Sequence, residues 1–109
     1  MEVVKRYYII ITGIVQGVGF RPFIYKLAKS LSLFGWVNNS SQGVIIDIEG
    51  KENHVKNFLE NLKINAPALS NIKDISIKEE PLAGFQEFKI INSVISDVKN
   101  IYISPDITI

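Results

Sequence analysis

The chain has no cysteine and a single histidine among its 109 residues. The first absence excludes thiol catalysis, disulfides and cysteine-ligated zinc, and it fits a reducing compartment. The second leaves no serine with a histidine partner where chemistry is expected, so a Ser–His–acid triad is excluded on inventory. Metal-ligand spacing is missing as well. No apolar run approaches the roughly 18 residues that span a bilayer. The leading M-E-V-V-K-R is too short and too charged for a signal peptide. Strong charge is also lacking: a net charge of +1 gives no global pull toward nucleic acid or an anionic membrane, so any anion site has to be local. Together these absences imply a soluble cytoplasmic domain with no cofactor, no metal and no membrane partner.

What remains has the balance of a folded protein. Hydrophobic residues make up 47% of the chain and charged ones 21%, and 109 residues suffice for one domain but not two. There is no internal repeat and no low-complexity segment. The chemistry concentrates between Gly13 and Phe23, which reads G-I-V-Q-G-V-G-F-R-P-F. Before it, Tyr7, Tyr8, Ile9, Ile10, Ile11 and Thr12 favour a strand. Gly17 and Gly19 permit positive φ and let a ligand approach the amides closely. A helix starting beside that turn offers unpaired N–H groups and the positive end of its dipole. Arg21 adds a fixed charge with a forked donor set suited to phosphate oxygens. Strand, glycine turn, arginine and helix together predict an oxyanion cradle.

The rest of the chain predicts the frame for it. Residues 5–15 form a first strand with two apolar faces, Tyr8, Ile10, Thr12 and Ile14 on one and Tyr7, Ile9 and Ile11 on the other, so cover on both sides is expected. Phe20, Phe23, Ile24, Leu27, Ala28, Leu31 and Phe34 share one helical stripe; Pro22 suits the helix start and Gly35 the position just past its end. Residues 35–39 begin a second strand, Asn38 to Gly43 form a loop, and Val44 to Glu49 make a third strand closed by Gly50. Val55, Phe58, Leu59 and Leu62 predict a second helix over residues 52–63, stopped by Asn65 to Pro67. Residues 71–80 form a fourth strand with Ile75 and Ile77 inward, and Gly84 opens a last short strand with Phe88 and Ile90 inward.

The order is βαββαβ plus an extra short strand. That is an α+β, ferredoxin-like sandwich, with two helices on one face of a mainly antiparallel sheet. A right-handed crossover makes the first two strands parallel, with the third between them. The glycine turn and Asn38–Asn39 then emerge at the same edge, roughly 10 Å apart. A phosphate with its attacking water would bridge an arginine and an asparagine across such a gap.

Each candidate competes with a plainer role. An arginine is most often a solvent-exposed charge. At a helix N-terminus, however, a cation is disfavoured, and a bound anion would resolve the conflict at Arg21. Glycine turns are common, and Phe20-Arg21 stands where a Walker loop would carry its Lys-Ser/Thr pair. The chain is also too short for a doubly wound dinucleotide fold. Asn39 alone reads as a turn residue, and its weight comes from its placement across from Arg21. His54 is expected on the surface of the second helix, Trp36 in the core, and Asp47 and Glu49 pointing outward rather than forming a catalytic pair. An RNA platform would need exposed aromatics in a basic surround; only Tyr7 and Tyr8 speak for it, so nucleic acid is not an expected partner.

V-Q-G-V-G-F-R from Val15 to Arg21, followed by G-W-V-x-N ending at Asn39 and then G-V, resembles the acylphosphatase signature. The similarity extends to about residue 91. The R-P-F-I-Y run after the cradle and I-S-P-D-I at Ile103 to Ile107 resemble the N-terminal acylphosphatase-like domain of the hydrogenase-maturation carbamoyltransferases, the HypF family. The resemblance implies metal-independent hydrolysis of carboxyl-phosphate anhydrides. Arg21 and the amides of Val15, Gln16, Gly17, Val18, Gly19 and Phe20 would hold the phosphoryl group, and Asn39 would position the attacking water. It further implies carbamoyl phosphate as substrate and the other domains of a larger carbamoyltransferase as partners. Residues 1–92 would be the acylphosphatase-like domain and 93–109 a C-terminal extension or interdomain linker. In that family I-S-P-D leads into cysteine-rich zinc motifs, whereas this sequence stops at Ile109, as expected of a fragment cut at a domain boundary or of a short standalone relative. The alternatives are a general standalone acylphosphatase and a non-catalytic anion- or RNA-binding module of the same fold.

Overall fold

The computed structural model describes residues 3–15, 19–67 and 70–91. The run of β-branched and aromatic residues extends as strand β1, Val4–Ile14, and the apolar stripe after it folds as helix α1, Phe20–Ser30. Strands β2 (Phe34–Ser40) and β3 (Gly43–Lys51) form a hairpin, and helix α2 (Glu52–Ile64) returns the chain to strands β4 (Asn71–Glu80) and β5 (Phe88–Ile90). The sheet order is β4-β1-β3-β2-β5. β3 is antiparallel to both β1 and β2, so these two run parallel on either side of it, and β5 extends the sheet parallel to β2. This is the expected ferredoxin-like α+β sandwich. Its core lies between the helices and one sheet face, where Ile9, Ile11, Val37 and Ile46 pack with Phe20, Ile24, Phe58 and Leu62. Truncating a residue such as Phe58 to alanine would cost about 3–5 kcal/mol.

The helices cover only that face. Ile9 and Ile11 are fully buried, but Tyr8 and Ile10 on the other side of β1 are half-buried and Ile14 is exposed, so the strand is not covered on both sides as its composition predicts. Tyr7 packs against the helix-side core, which separates it from Tyr8. Trp36 is not a core residue either. It is half-buried on the helix-free face, edge-on to Tyr8 at 6.3 Å between ring centroids.

α1 ends four residues before the end of its apolar stripe. The backbone N–H groups of Ser32 and Leu33 donate to the carbonyls of Lys29 (3.2 Å) and Ala28 (2.9 Å), the paired bonds of a Schellman turn, with Ser32 at φ 56° in the left-handed position. The terminator is therefore Ser32 and not Gly35. Leu33, buried just past the turn, supplies the apolar contact that drives the chain inward early. Phe34, freed from the helix, starts β2 and is 38% exposed. Gly35 lies inside β2, where a Cβ would collide with the carbonyl of Asp47. Serine is strained in the left-handed region, so Ser32→Gly should raise stability by about 0.5–1 kcal/mol in urea unfolding.

The hairpin is tighter than the run of turn-forming residues suggests. β2 continues through Asn38 and Asn39 to Ser40, which pairs with Gly43, leaving only Ser41 and Gln42 in the turn. The Ser40 hydroxyl donates to the Gly43 carbonyl (3.3 Å) and accepts from the Gln42 N–H (3.0 Å). β3 in turn runs past Gly50 to Lys51. The last strand begins at Phe88, and Gly84 belongs to the connection before it. In β4, alternation puts Ile75 and Ile77 inward, yet Ile75 is half-buried and Ile77 is 46% exposed, because β4 is the outer strand of the sheet.

Asp47 and Glu49 do not point outward: they are 2% and 5% exposed. Arg6 Nε and Nη2 grip Asp47 at 2.9 and 2.7 Å, Nη1 donates to the Pro81 carbonyl at 3.0 Å, and the guanidinium lies 5.4 Å from the centroid of the Phe85 ring. Burial pushes the Asp47 carboxyl above its ordinary value against the pull of Arg6. Glu49 accepts N–H bonds from Ala83, Gly84 and Phe85 at 2.7–3.2 Å. Burial works to raise its pKa, but the three amide donors outweigh it and hold the carboxyl below the usual glutamate value. These contacts fasten residues 81–87, the connection from β4 to β5.

Stability drawn from a depressed carboxyl is complete above its ordinary pKa and is lost as pH falls through the lower folded value. Glu49→Gln should therefore cost about 1–3 kcal/mol near neutral pH, and the gap to the parent should narrow in urea melts taken progressively below pH 4.

Candidate active site

The site assembles where β1 ends and α1 begins. Val15 is buried and pins the end of the strand; Gln16, Gly17 and Val18 of the expected cradle lie outside the described residues. Gly19, at φ 80°, is the N-cap of α1 and gives it no side-chain cap. Among the described residues, a Cβ built on Gly19 meets nothing within 4 Å. The first turn holds no acidic residue. Its leading amides thus lack, within the helix's own first turn, the carboxylate that commonly compensates them. Phe20 is buried edge-on against Phe23, 5.8 Å between centroids, which anchors the turn. Gly19→Ala should cost about 1 kcal/mol through φ, since none of the described residues clashes with the added methyl, and Gly19→Asn should cost less; chemical unfolding distinguishes them.

Arg21 sits one residue into α1 and is half-buried. Its Nη1 donates to the Ile91 carbonyl at 3.4 Å, and the Ile91 N–H donates to the carbonyl of Val37 at 2.9 Å. Sequence reasoning missed this backing contact, because a carbonyl 70 residues away leaves no mark on side-chain patterns. Two residues beyond Val37 on the same side of β2 is Asn39. Its N–H donates to Asn38 Oδ1 at 2.8 Å, while its own Oδ1 is buried with no hydrogen-bond partner among the described residues. Asn38 is buried on the other face. In register, Ile11 pairs with Val44 and Val44 with Asn39, so Asn39 lies two strand spacings, about 10 Å, from Ile11, three residues before β1 ends at Ile14.

The remaining candidates lie elsewhere. Asp47 and Glu49 are committed to Arg6 and the 81–87 connection. His54 is half-buried rather than a surface residue, with Nδ1 enclosed and unpartnered among the described residues. It lines a groove of ≈ 450 Å³ with Val4, Phe34 and Phe85, at the opposite end of β2 from Asn39. Among the described residues no three potential metal ligands cluster, and no helix is long and apolar enough to cross a membrane.

Residues 7–90 match the acylphosphatase family profile. The chain belongs to the acylphosphatase family. It is 46% identical over 84 residues to the probable carbamoyltransferase HypF of Methanocaldococcus jannaschii, an overlap of 76% of this chain and 11% of that protein. The crystal structure of full-length HypF in its phosphate- and nucleotide-bound form superposes with a TM-score of 0.83 at 39% identity, covering 86% of this chain and 12% of that one. The acylphosphatase of Bacillus subtilis superposes with a TM-score of 0.76 at 42% identity, covering 82% of this chain and 99% of that one. The chain thus spans about an eighth of such HypF proteins and nearly the whole of a small acylphosphatase. Arg21, Asn39 and the Val15–Phe20 stretch all fall inside the family match.

Proposed function

We propose that this acylphosphatase-family domain hydrolyses acyl phosphates without a metal, and that carbamoyl phosphate is its substrate. Arg21 and the amides from Val15 to Phe20 hold the phosphoryl group, and Asn39 orients the attacking water. The observation that carries the reading is the buried Oδ1 of Asn39, without a partner among the described residues, on the same sheet end as Arg21 and the start of α1, which has no side-chain cap. A buried acceptor left alone is costly, and a water hydrogen that it fixes would satisfy it.

The chemistry needs little more. Water oxygen forms a bond to phosphorus while the bond from phosphorus to the acyl oxygen breaks, and its electron pair leaves on a carboxylate or carbamate. A carboxylate leaving group has a conjugate acid of pKa near 4, so it departs without a general acid. The water's proton passes to a phosphoryl oxygen of the substrate. Positioning and neutralisation of charge on the phosphoryl oxygens then supply most of the rate, which is what an arginine fork and backbone amide donors provide.

The HypF relatives favour carbamoyl phosphate and, with it, a working unit of residues 1–92 followed by an extension that leads to further domains. The nearly complete overlap with the B. subtilis acylphosphatase favours a second reading, a general acylphosphatase. Turnover of carbamoyl phosphate and of benzoyl phosphate, each with and without EDTA, separates them. Preference for carbamoyl phosphate with no loss in EDTA is expected. Equal or better use of the aromatic substrate would favour the general enzyme, and hydrolysis of neither would sink both.

A further inference from the structure

The longest unshared edge of the sheet is β4, ten residues with β1 as their only neighbour among the described residues; β5, at the other edge, has three. A long exposed edge is a template for another strand unless charge, proline or a bulge blocks it. Here a register shift opposite Lys73, between Thr12 and Gly13, interrupts one end of β4 and Pro81 follows the other, so the regular stretch is Asp74 to Glu80. Its charges do not repel a copy of themselves. Read against its own reverse about Ser76, D-I-S-I-K sets Asp74 opposite Lys78, Ile75 opposite Ile77 and Ser76 opposite Ser76.

We infer that two copies of this chain pair antiparallel through β4 across a two-fold axis at Ser76, joining their sheets into one. The axis generates each contact twice, giving two Asp74–Lys78 pairs and two Ile75–Ile77 pairs. Directly opposed residues share a face, so the isoleucines meet on the helix side, where Ile77 is 46% exposed in the single chain. Lys78 is 77% exposed and its contact with Glu80 is long, 3.7 Å, so it is available to turn toward the copy. Neighbouring registers are worse. Sliding by two residues one way opposes Asp74 to Glu80, sliding the other way opposes Asp74 to Ser76, and sliding by one puts the isoleucines on the wrong face. The contact is one strand edge, small by the standard of stable dimers, so association is weak and depends on concentration.

Sedimentation equilibrium up to about 1 mM should show a monomer–dimer equilibrium for the parent chain. Lys78→Asp should weaken it about tenfold, because two attractive pairs become repulsive. Combining Asp74→Lys with Lys78→Asp should restore it. Ser76→Cys gives the molecule its only thiol, placed opposite its own copy at a Cα separation of about 5 Å, within disulfide range. It should oxidise to a covalent dimer, while Asp74→Cys, facing Lys78, should not. A parent that stays monomeric at 1 mM overturns the inference. So does a charge swap that fails to restore pairing, or equal cross-linking at positions 74 and 76, which would mean contact without this register.

Discussion

Arg21→Ala is expected to abolish phosphate binding and acyl phosphate hydrolysis together while leaving the domain folded. A single neutral donor at a transition-state oxyanion contributes about 10²–10³ in turnover, and a charged fork contributes at least the upper end of that range. The fall in kcat/KM should therefore be about a thousandfold or more, with phosphate no longer saturating the site at millimolar concentration. Stability should barely move. The side chain gives up its contacts, the 3.4 Å bond to the Ile91 carbonyl among them, while removing a cation from a helix N-terminus recovers about 0.3–1 kcal/mol. Arg21→Lys restores the charge but not the two-pronged geometry, so it should recover binding in part and turnover less. Isothermal titration with phosphate, steady-state kinetics and a urea melt on the three proteins make the comparison. An Arg21→Ala protein that turns over acyl phosphate like its parent would end the proposed mechanism.

The helices and strands that position the site are legible because they are written in local periods. Phe20, Ile24 and Ala28 announce one face of α1; Val44, Ile46 and Ile48 announce β3; Val55, Phe58 and Leu62 announce α2. The topology followed from the order of those elements and the handedness of the crossover. Where the reading failed, a tertiary contact had overruled a local preference. Asn38 to Gly43 is rich in turn formers, but cross-strand pairing with Val44 and Ile45 holds both asparagines in the ladder. Gly35 looks like a helix terminator, yet its missing side chain is needed for the approach of the Asp47 carbonyl, and a strained Ser32 ends the helix instead.

The buried carboxylates failed for a related reason. Alternation in β3 assigns Asp47 and Glu49 to the polar side, which is right, but not that this side is roofed by residues 81–87. That roof exists because a chain leaving β4 at one edge has to cross the sheet to reach β5 beyond β2 at the other. It also places Ile91 behind Arg21. Side-chain pattern alone could point to the arginine but not to the carbonyl that steadies it.

Asn39→Ala is expected to act on turnover alone. If its Oδ1 orients water, kcat should fall about 10²–10³-fold while the phosphate dissociation constant stays within about threefold, because the anion is held by other groups. Stability offers a second readout that ordinary buried asparagines would not give. Removing a hydrogen-bonded buried amide usually costs about 1–3 kcal/mol, but the Oδ1 of Asn39 has no protein partner among the described residues. Its loss should be nearly neutral in a urea melt. Asn39→Asp sharpens the distinction: it keeps the shape and the acceptor but brings a negative charge toward the phosphoryl site, so binding and turnover should fall together. A large loss of stability in Asn39→Ala, or an unchanged kcat, would show that the amide serves the fold, and the water-orienting role would have to be given to another group.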